Sequence, residues 1–273
     1  MNKKIKVTIY IVLIFFALVS IYPLYHVFIT SFKQLNEYAN NRVLLPVHWV
    51  IDNYKVAIEQ CHLLYYFLNN IILIPAAMVF YLFVCIMAGF AFGRLRFRLR
   101  LPLFLIVLFL MIFPQMLLSM QIFQLCAKFH LTNNYLGVIL VWTAYFAPFG
   151  TYIMASYFNT LPYEIIESGR IDGANTWSIL TRIATPMALP MMGILIIIGF
   201  QSMWNELPFS LLLLQRMEMR TVTIGIAMIQ GEYGIPDTTQ SAVIMIAALI
   251  PMLVFVFFQK YIATGAFSGA IKG

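Results

Sequence analysis

The chain has few charged residues for its length, and this scarcity decides its class. Of its 273 residues, 10% are Asp, Glu, Lys or Arg and 62% are hydrophobic. Soluble domains contain about 45–50% apolar and about 25% charged residues. The mean hydropathy of +0.89 points the same way. The composition therefore excludes an ordinary soluble domain and predicts a membrane protein.

The chain also lacks the residue patterns of catalytic, metal and nucleotide sites. Its three cysteines, Cys61, Cys85 and Cys126, have no metal-like spacing, and we interpret them as apolar filler. The four histidines have no acid or serine arranged around them, and a GxxxxGK[ST] phosphate loop is absent. We therefore expect no enzyme activity, no metal and no cofactor in this chain. The net charge of +7 does not indicate nucleic-acid binding, because such binding needs a basic face on a soluble fold and none is visible.

Long apolar runs fill most of the chain. A spanning helix needs about 20 mainly apolar residues, and the runs do not alternate as transmembrane strands do. The first run follows Lys3, Lys4 and Lys6 without a small-residue cleavage site, so we expect it to be an uncleaved span. The sequence predicts an all-α polytopic membrane protein with one transmembrane domain over 1–273. Its six predicted spans are 7–30, 67–92, 101–123, 136–158, 187–214 and 241–262.

The distribution of Lys and Arg predicts the orientation of these spans. With six spans, both termini lie on one side, and 11 of the 17 basic residues fall on that side. Cytoplasmic loops carry the excess of Lys and Arg. We therefore expect both termini, the loop at 161–190 and the tail at 259–273 to be cytoplasmic.

A few polar residues and small residues interrupt the predicted spans. Gln115 and Gln121 lie near Pro114, where they line a water-filled path or bond to another helix. Asn205 and Glu206 are adjacent polar residues in the fifth predicted span. The Glu206 carboxylate lies either at membrane depth, where both residues belong to a substrate path, or near the outer interface. No Asp, His or Lys partner for it is evident in another span, which argues against proton-coupled transport. In the second predicted span, Gly89 and Gly93 either admit another helix closely or relieve crowding.

The polar segment 161–190 is unusually long for a connection between spans. Pro162 suits the first turn of a helix that ends near Asp172, and Gly173 suits a turn after it. Asn175 or Thr176 is positioned to cap a second helix over 177–183. The segment is predicted to be a bent, charged docking surface for a partner, or else a plain interfacial amphipathic loop.

The residues of this segment resemble a known family. The run ESGRIDGA at 167–174, with Ile183 and Pro186 after it, resembles the EAA loop of ABC importer permeases, and the wider LPxE…RIDGA is similar to the maltose-type sugar permeases. Similar residues occur at 53–54, 94–97, 204–206 and 259–273. Ser168 and Gly169 stand where the family has two alanines. Gly169 weakens the helix by about 1 kcal/mol relative to Ala.

The resemblance implies a six-span permease subunit of an ATP-driven, binding-protein-dependent importer of sugar or oligosaccharide in a bacterial cytoplasmic membrane. Its implied partners are two ABC ATPase subunits that bind ATP and Mg²⁺, a second homologous permease, a solute-binding protein and membrane lipid. The alternatives are a permease for an amino acid, peptide or phosphate, an ion-coupled secondary transporter, and a membrane scaffold protein. The residues implied to couple to the ATPase are Glu164, Glu167, Arg170, Asp172, Gly173, Ala174, Ile183 and Pro186, with Gly269, Lys272 and Gly273 of the tail near the same face.

Overall fold

The computed structural model describes the backbone of residues 3–270, with side chains at 5–229, 231 and 234–259. Over these residues the protein is helical and contains no strand, which confirms the all-α prediction. The helices are α1 Lys3–Ser31, α2 Leu35–Asn40, α3 Asp52–Glu59, α4 Leu63–Arg94, α5 Arg100–Leu110, α6 Gln115–Lys128, α7 Tyr135–Thr160, α8 Tyr163–Ile171, α9 Thr176–Met187, α10 Leu189–Trp204, α11 Pro208–Leu213, α12 Val222–Tyr233 and α13 Asp237–Ala270.

Four of these helices are long and apolar enough to cross a membrane: α1, α4, α7 and α13. Two bent pairs, α5 with α6 and α9 with α10, bring the number of spans to six if each pair counts as one. Residues 1–64 with 225–250 form one compact unit, and residues 65–224 with 251–273 form another.

The third predicted span, 101–123, is not one continuous helix. The chain bends by 102° between α5 and α6. Pro114 lies at the break with extended backbone angles (φ −61°, ψ 136°). Proline lacks the N–H that would continue the helix, and its ring clashes with the preceding turn. The break therefore has a local cause in the sequence.

The fifth predicted span, 187–214, is also interrupted. The chain bends by 76° between α9 and α10, and α10 then ends at Trp204. Pro208 opens α11 as its first residue. Proline suits that position because the first N–H groups of a helix have no partner within it.

In the first unit, polar side chains tie the end of α1 to α3. The amide of Asn53 donates to Ser31 O at 2.9 Å and to Lys33 O at 2.8 Å. The hydroxyls of Ser31 and Tyr54 lie 2.7 Å apart, and Thr239 at the start of α13 donates to Asn53 Oδ1 at 3.2 Å. These bonds satisfy the carbonyls that α1 leaves open at its C-terminus.

In the second unit, α4 and α7 pack at very short range through small residues. A Cβ atom on Gly89 would collide with the Cβ of Met154, and one on Gly93 would lie 2.7 Å from Ala155 O. Only glycine allows the two backbones to approach this closely. The close approach anticipated for Gly89 and Gly93 is thus present. The contact buries large side chains of both helices, including Tyr81 and Phe158.

Candidate functional sites: a helical hairpin and a buried carboxylate

The polar segment begins where α7 ends, at Thr160. Leu161 is extended (φ −63°, ψ 142°), as expected for a residue that precedes proline, and Pro162 leads into α8. Glu164 lies in the first turn of α8 and Arg170 in the last turn. An acid near the N-terminus and a base near the C-terminus both interact favourably with the helix dipole. The charge order of the sequence therefore supports this short helix.

A tight turn follows α8. The N–H of Gly173 donates to Arg170 O at 3.0 Å, and the N–H of Ala174 donates to Gly169 O at 2.9 Å. This pair of bonds is the Schellman motif, which needs a left-handed residue after the helix. Gly173 has φ +83°, and Asp172 is the C-cap. The turn predicted at Gly173 is confirmed, and it reverses the chain.

The second helix begins directly after the turn. The side chain of Asn175 accepts a hydrogen bond from the N–H of Ser178 at 2.8 Å, so Asn175 is the N-cap. Within α9, residues Ile179–Ala184 have the wider π-helical spacing. Pro186 cannot donate to the carbonyl four residues earlier, and a π-turn is one way to relieve the clash. The helix thus continues to Met187, beyond the predicted 177–183.

The two helices form a hairpin with its own apolar core. Ile166 of α8 and Ile179 and Leu180 of α9 are buried. A Cβ atom on Gly169 would lie 2.8 Å from Cδ1 of Ile183, so the helices are closest at this glycine. Gly169 replaces an alanine of the family pattern and serves this contact. We name residues 161–187 the coupling hairpin, after the role that the family resemblance implies for this segment.

The outer surface of the coupling hairpin combines charge with exposed apolar side chains. Ile171 is 81% exposed and Trp177 is 55% exposed, one on each side of the turn. The charged residues around them are also exposed. They are Glu164, Glu167, Arg170, Asp172 and Arg182. Exposed apolar side chains beside charges occur on protein-binding surfaces.

One hydrogen bond joins the end of the coupling hairpin to α7. The hydroxyl of Tyr157 donates to Met187 O at 2.6 Å. Met187 is the last residue of α9, and α10 continues after the 76° bend. Because α7 leads into the hairpin and α10 leads out of it, a displacement of the hairpin acts directly on two apolar helices. Of the remaining predicted residues, Ala174 and Ile183 are half-buried and Pro186 is exposed.

Glu206 is a buried carboxylate between α10 and α11, with 3% of its surface exposed. Its Oε1 accepts bonds from Gln115 Nε2 at 2.5 Å and from the N–H of Phe209 at 2.7 Å. Its Oε2 accepts from Trp142 Nε1 at 2.8 Å and from the N–H and hydroxyl of Ser210 at 3.0 and 2.5 Å. Five donors therefore surround the two oxygens. The structure thus shows that the carboxylate is enclosed by protein, and whether it lies at membrane depth stays a prediction.

The Glu206 carboxylate joins the two broken helices of this unit. Its backbone N–H partners belong to the first turn of α11, where they have no partner within the helix. Gln115 is the first residue of α6, directly after the break at Pro114. The indole of Trp142 comes from the continuous helix α7. One carboxylate thus satisfies open groups at two helix breaks and holds both against α7.

The other two residues predicted for the substrate path do not join this site. Gln121 is exposed, and Asn205 is exposed with its amide donating to Gln201 O at 2.8 Å. Sequence reasoning missed Trp142 and Ser210. Ser210 could have been found from the sequence, because it lies four residues after Glu206 and just beyond Pro208. Trp142 could not, since its partner is 64 residues away in the chain.

A second polar cluster holds the connection between α11 and α12. Asn69 donates to the carbonyls of Glu218 and Arg220, both at 2.8 Å, and accepts from the hydroxyl of Tyr135 at 2.7 Å. Asn133 Oδ1 accepts the N–H groups of Gln215 and Arg216 at 2.8 and 3.0 Å. The exposed connection is therefore fixed at both ends by asparagine side chains.

Comparison with known proteins identifies the family. The profile of the binding-protein-dependent transport system inner membrane component matches residues 85–266. This match covers about two thirds of the chain and includes the coupling hairpin and the Glu206 site. The chain belongs to this family. It is therefore a multi-pass inner-membrane protein and a permease subunit of an ABC importer.

Relatives match this permease over nearly its whole length. The diacetylchitobiose uptake system permease of Streptomyces coelicolor is 28% identical over 95% of this chain and 87% of its own. The trehalose/maltose transport system permease of Thermococcus litoralis is 29% identical over 95% of this chain and 94% of its own. The recognised family is thus confirmed.

The permease also shares its fold with a solved structure. A chain in the crystal structure of a bacterial ABC transporter that imports the acidic polysaccharide alginate superposes with a TM-score of 0.84. The superposition covers 96% of this chain and 98% of the other at 22% identity. The architecture is therefore that of an ABC importer permease. Of the predicted tail residues, Lys272 and Gly273 lie outside the described residues, and only the backbone of Gly269 is described, in α13.

Proposed function

We propose that this permease is the transmembrane subunit of a binding-protein-dependent, ATP-driven importer of a sugar or oligosaccharide. The relatives named above transport diacetylchitobiose and trehalose or maltose. They align along almost the entire chain, which favours a related substrate class. The carbohydrate enters through a path that this subunit forms together with a second, homologous permease.

We propose six spans with both termini and the coupling hairpin in the cytoplasm. The excess of Lys and Arg on that side supports this orientation. The bent pairs α5 with α6 and α9 with α10 each cross the membrane once. In this arrangement the Glu206 site lies within the membrane-embedded part of the subunit, where unsatisfied polar groups are costly and five donors offset that cost.

The observation that carries the proposal is the exposed surface of the coupling hairpin. Ile171 and Trp177 remain exposed near Glu167 and Asp172, although the hairpin buries a core of its own. A cleft on a cytoplasmic ATPase subunit covers the two apolar side chains, and Glu167 makes a polar or ionic contact there. Gly173 fixes the bend that presents them. Two ATPase subunits, one for each permease, bind ATP and Mg²⁺ and supply the energy.

The test is reconstitution of the full transporter in liposomes. This permease is combined with its companion permease, the ATPase and the solute-binding protein, and uptake of labelled oligosaccharides is measured. We expect uptake only with every component and with ATP inside the liposome on the ATPase side. Uptake by this chain alone, driven by an ion gradient, would overturn the proposal in favour of a secondary transporter.

The substrate class is tested separately with the purified solute-binding protein. We expect its intrinsic fluorescence to titrate with a mono- or oligosaccharide and to be unaffected by amino acids, peptides and inorganic phosphate. A response to one of these other solutes alone would retain the ABC permease and replace the carbohydrate. Neither outcome depends on the details of the coupling hairpin.

A further inference from the structure

A cavity of about 420 Å³ lies where α4 ends, α5 begins and α7 ends. One side of it is apolar and includes Phe92, Leu101 and Phe104. The other side is polar and includes Arg98, Ser156 and Asn159. No acidic residue is among the nine that line the cavity. The site belongs neither to the coupling hairpin nor to the Glu206 cluster.

The polar side of the cavity holds donors that the protein does not use. Within the described side chains, those of Arg98, Ser156 and Asn159 are exposed and make no hydrogen bond or ion pair. By contrast, Arg100 is occupied, since its Nε donates to Phe92 O at 2.7 Å at the C-terminal end of α4. Arg98 is therefore the cation available to a ligand. A guanidinium with a hydroxyl and an amide beside it suits a phosphate group.

The apolar side of the cavity is built from stacked rings. The ring centroid of Phe92 lies 5.2 Å from that of Phe104 and 6.2 Å from that of Phe97. Leu101, at the start of α5, is 66% exposed. Exposed leucines continue along this apolar helix, among them Leu105. A ligand that fills the whole cavity needs a hydrocarbon part next to its anionic part.

We propose that this cavity binds an anionic phospholipid, with the phosphate at Arg98, Ser156 and Asn159 and an acyl chain along Phe92, Leu101 and α5. Basic pockets between transmembrane helices on the cytoplasmic side bind acidic headgroups. A free phosphate ion uses the polar side but leaves the exposed apolar side uncovered, so the lipid fits better. The inference rests on the proposed orientation, in which the four arginines at 94–100 face the cytoplasm.

The bound lipid has a consequence for coupling. Ser156 and Asn159 lie in the last turns of α7, which leads through Leu161 into the coupling hairpin. A lipid that bridges these residues to Arg98 holds the α4–α5 connection against the base of the hairpin. Anionic lipid is therefore expected to raise the rate of uptake as well as to bind.

The binding experiment uses the complete transporter in nanodiscs of phosphatidylcholine with a titrated fraction of phosphatidylglycerol. Native mass spectrometry counts the phosphatidylglycerol retained per complex. Arg98→Gln is expected to weaken retention about fivefold, because one basic residue near an anionic surface contributes on this scale. Ser156→Leu with Asn159→Leu tests the neutral donors. Arg96→Gln is the matched control, because it removes the same charge from the same connection outside the cavity.

The outcomes distinguish a lipid ligand from inorganic phosphate. They also distinguish failure of the lipid proposal from failure of the proposed function. Selective loss in Arg98→Gln, with Arg96→Gln unchanged, supports the site. Equal loss in both variants, or full displacement of the lipid by inorganic phosphate, overturns it. Uptake is measured in the same lipid series. Absence of ATP-driven uptake in every lipid contradicts the proposed function, whereas uptake that is unaffected by Arg98→Gln and by phosphatidylglycerol contradicts only the effect of the lipid on coupling.

Discussion

The indole N–H of Trp142 donates to the carboxylate of Glu206 at 2.8 Å, and both residues are buried. This bond connects the unbroken helix α7 to the gap between α10 and α11. Four further donors to the same carboxylate come from α6 and from the first turn of α11. A single acidic residue therefore connects the start of α6 and the gap between α10 and α11 to α7.

Replacing Glu206 tests this role. Glu206→Gln retains the shape but turns an NH₂ group toward N–H donors, so one or more buried donors lose their acceptor. Each buried unsatisfied group costs about 1–3 kcal/mol. We expect a lower thermal unfolding midpoint of the purified transporter. Glu218→Gln, an exposed acid on the neighbouring connection, is the control and is expected to leave the midpoint unchanged. An unaltered midpoint in Glu206→Gln would show that the carboxylate does not hold the breaks together.

Charge reversal at Glu167 tests docking of the coupling hairpin. Glu167→Lys is expected to weaken binding of the ATPase about tenfold, the scale of a strong interface residue, and to reduce ATP-driven uptake accordingly. Because Glu167 is exposed, folding of the permease itself should not change. Binding is measured by titrating ATPase onto immobilised permease. Glu59→Lys, exposed on α3, is the matched control; comparable weakening there would contradict a specific contact at Glu167.

Gly173 tests the turn of the hairpin. A Cβ atom on Gly173 meets no atom within 4 Å, so the cost of Gly173→Ala is that of the left-handed backbone alone. That cost is about 1–2 kcal/mol for a residue with a Cβ atom. Gly173→Asn is expected to cost less, because asparagine tolerates this conformation. Proteolysis of the hairpin in the purified permease measures the loosening.

Gly231→Ala is the control for the turn. Gly231 lies in α12, and its φ is not left-handed. A Cβ atom added there would also meet no atom within 4 Å. We expect it to be neutral or slightly stabilising, since alanine is the better helix former. If Gly173→Ala and Gly231→Ala behave alike, backbone conformation is not what selects glycine at 173.

The contact between α4 and α7 is tested at Gly89. Gly89→Val places side-chain atoms where the Cβ of Met154 already lies, and the backbone behind that atom cannot rotate away. Overpacking of this kind costs about 1–3 kcal/mol. We expect reduced yield of folded protein on size-exclusion chromatography in detergent. Val79→Leu enlarges an exposed side chain of the same helix and should behave as wild type; failure of both variants alike would point to a general insertion defect.

The connection between α11 and α12 is tested at Asn133. Asn133→Gly removes the acceptor of Gln215 N–H and Arg216 N–H while permitting the positive φ of 49° at this position. We expect faster hydrogen exchange at both amides, by about fivefold if each bond contributes roughly 1 kcal/mol. Asn133→Asp keeps an acceptor oxygen and serves as the control. Unchanged exchange in Asn133→Gly would mean that other contacts hold the connection.

The local chemistry of the coupling hairpin was readable from the chain. Gly173 and Asn175 act in hydrogen bonds that span at most five positions, and Pro162 directly precedes α8, so the start, turn and second cap follow from residue type. The π-turn before Pro186 was missed, although its cause is equally local. Sequence periodicity does not report the widening of a helix by one residue. The residues alone indicated only a docking partner for this surface, and the family resemblance added the expectation that this partner is an ATPase.

What the sequence determined by itself is the all-α membrane class, the approximate position of the apolar helices, the coupling hairpin and the family. The class, the apolar helices and the hairpin follow from apolar run length, proline and glycine positions, and caps, all of which act within a few residues. The family follows from the resemblance of the motif residues at 161–190 and elsewhere. Only the tertiary structure decided that Glu206 is buried, that Gln115 and Trp142 bind it while Gln121 does not, and that Arg98 lines one cavity with Ser156 and Asn159. Those pairs are tens of residues apart, and their meeting depends on how separate helices bend and pack.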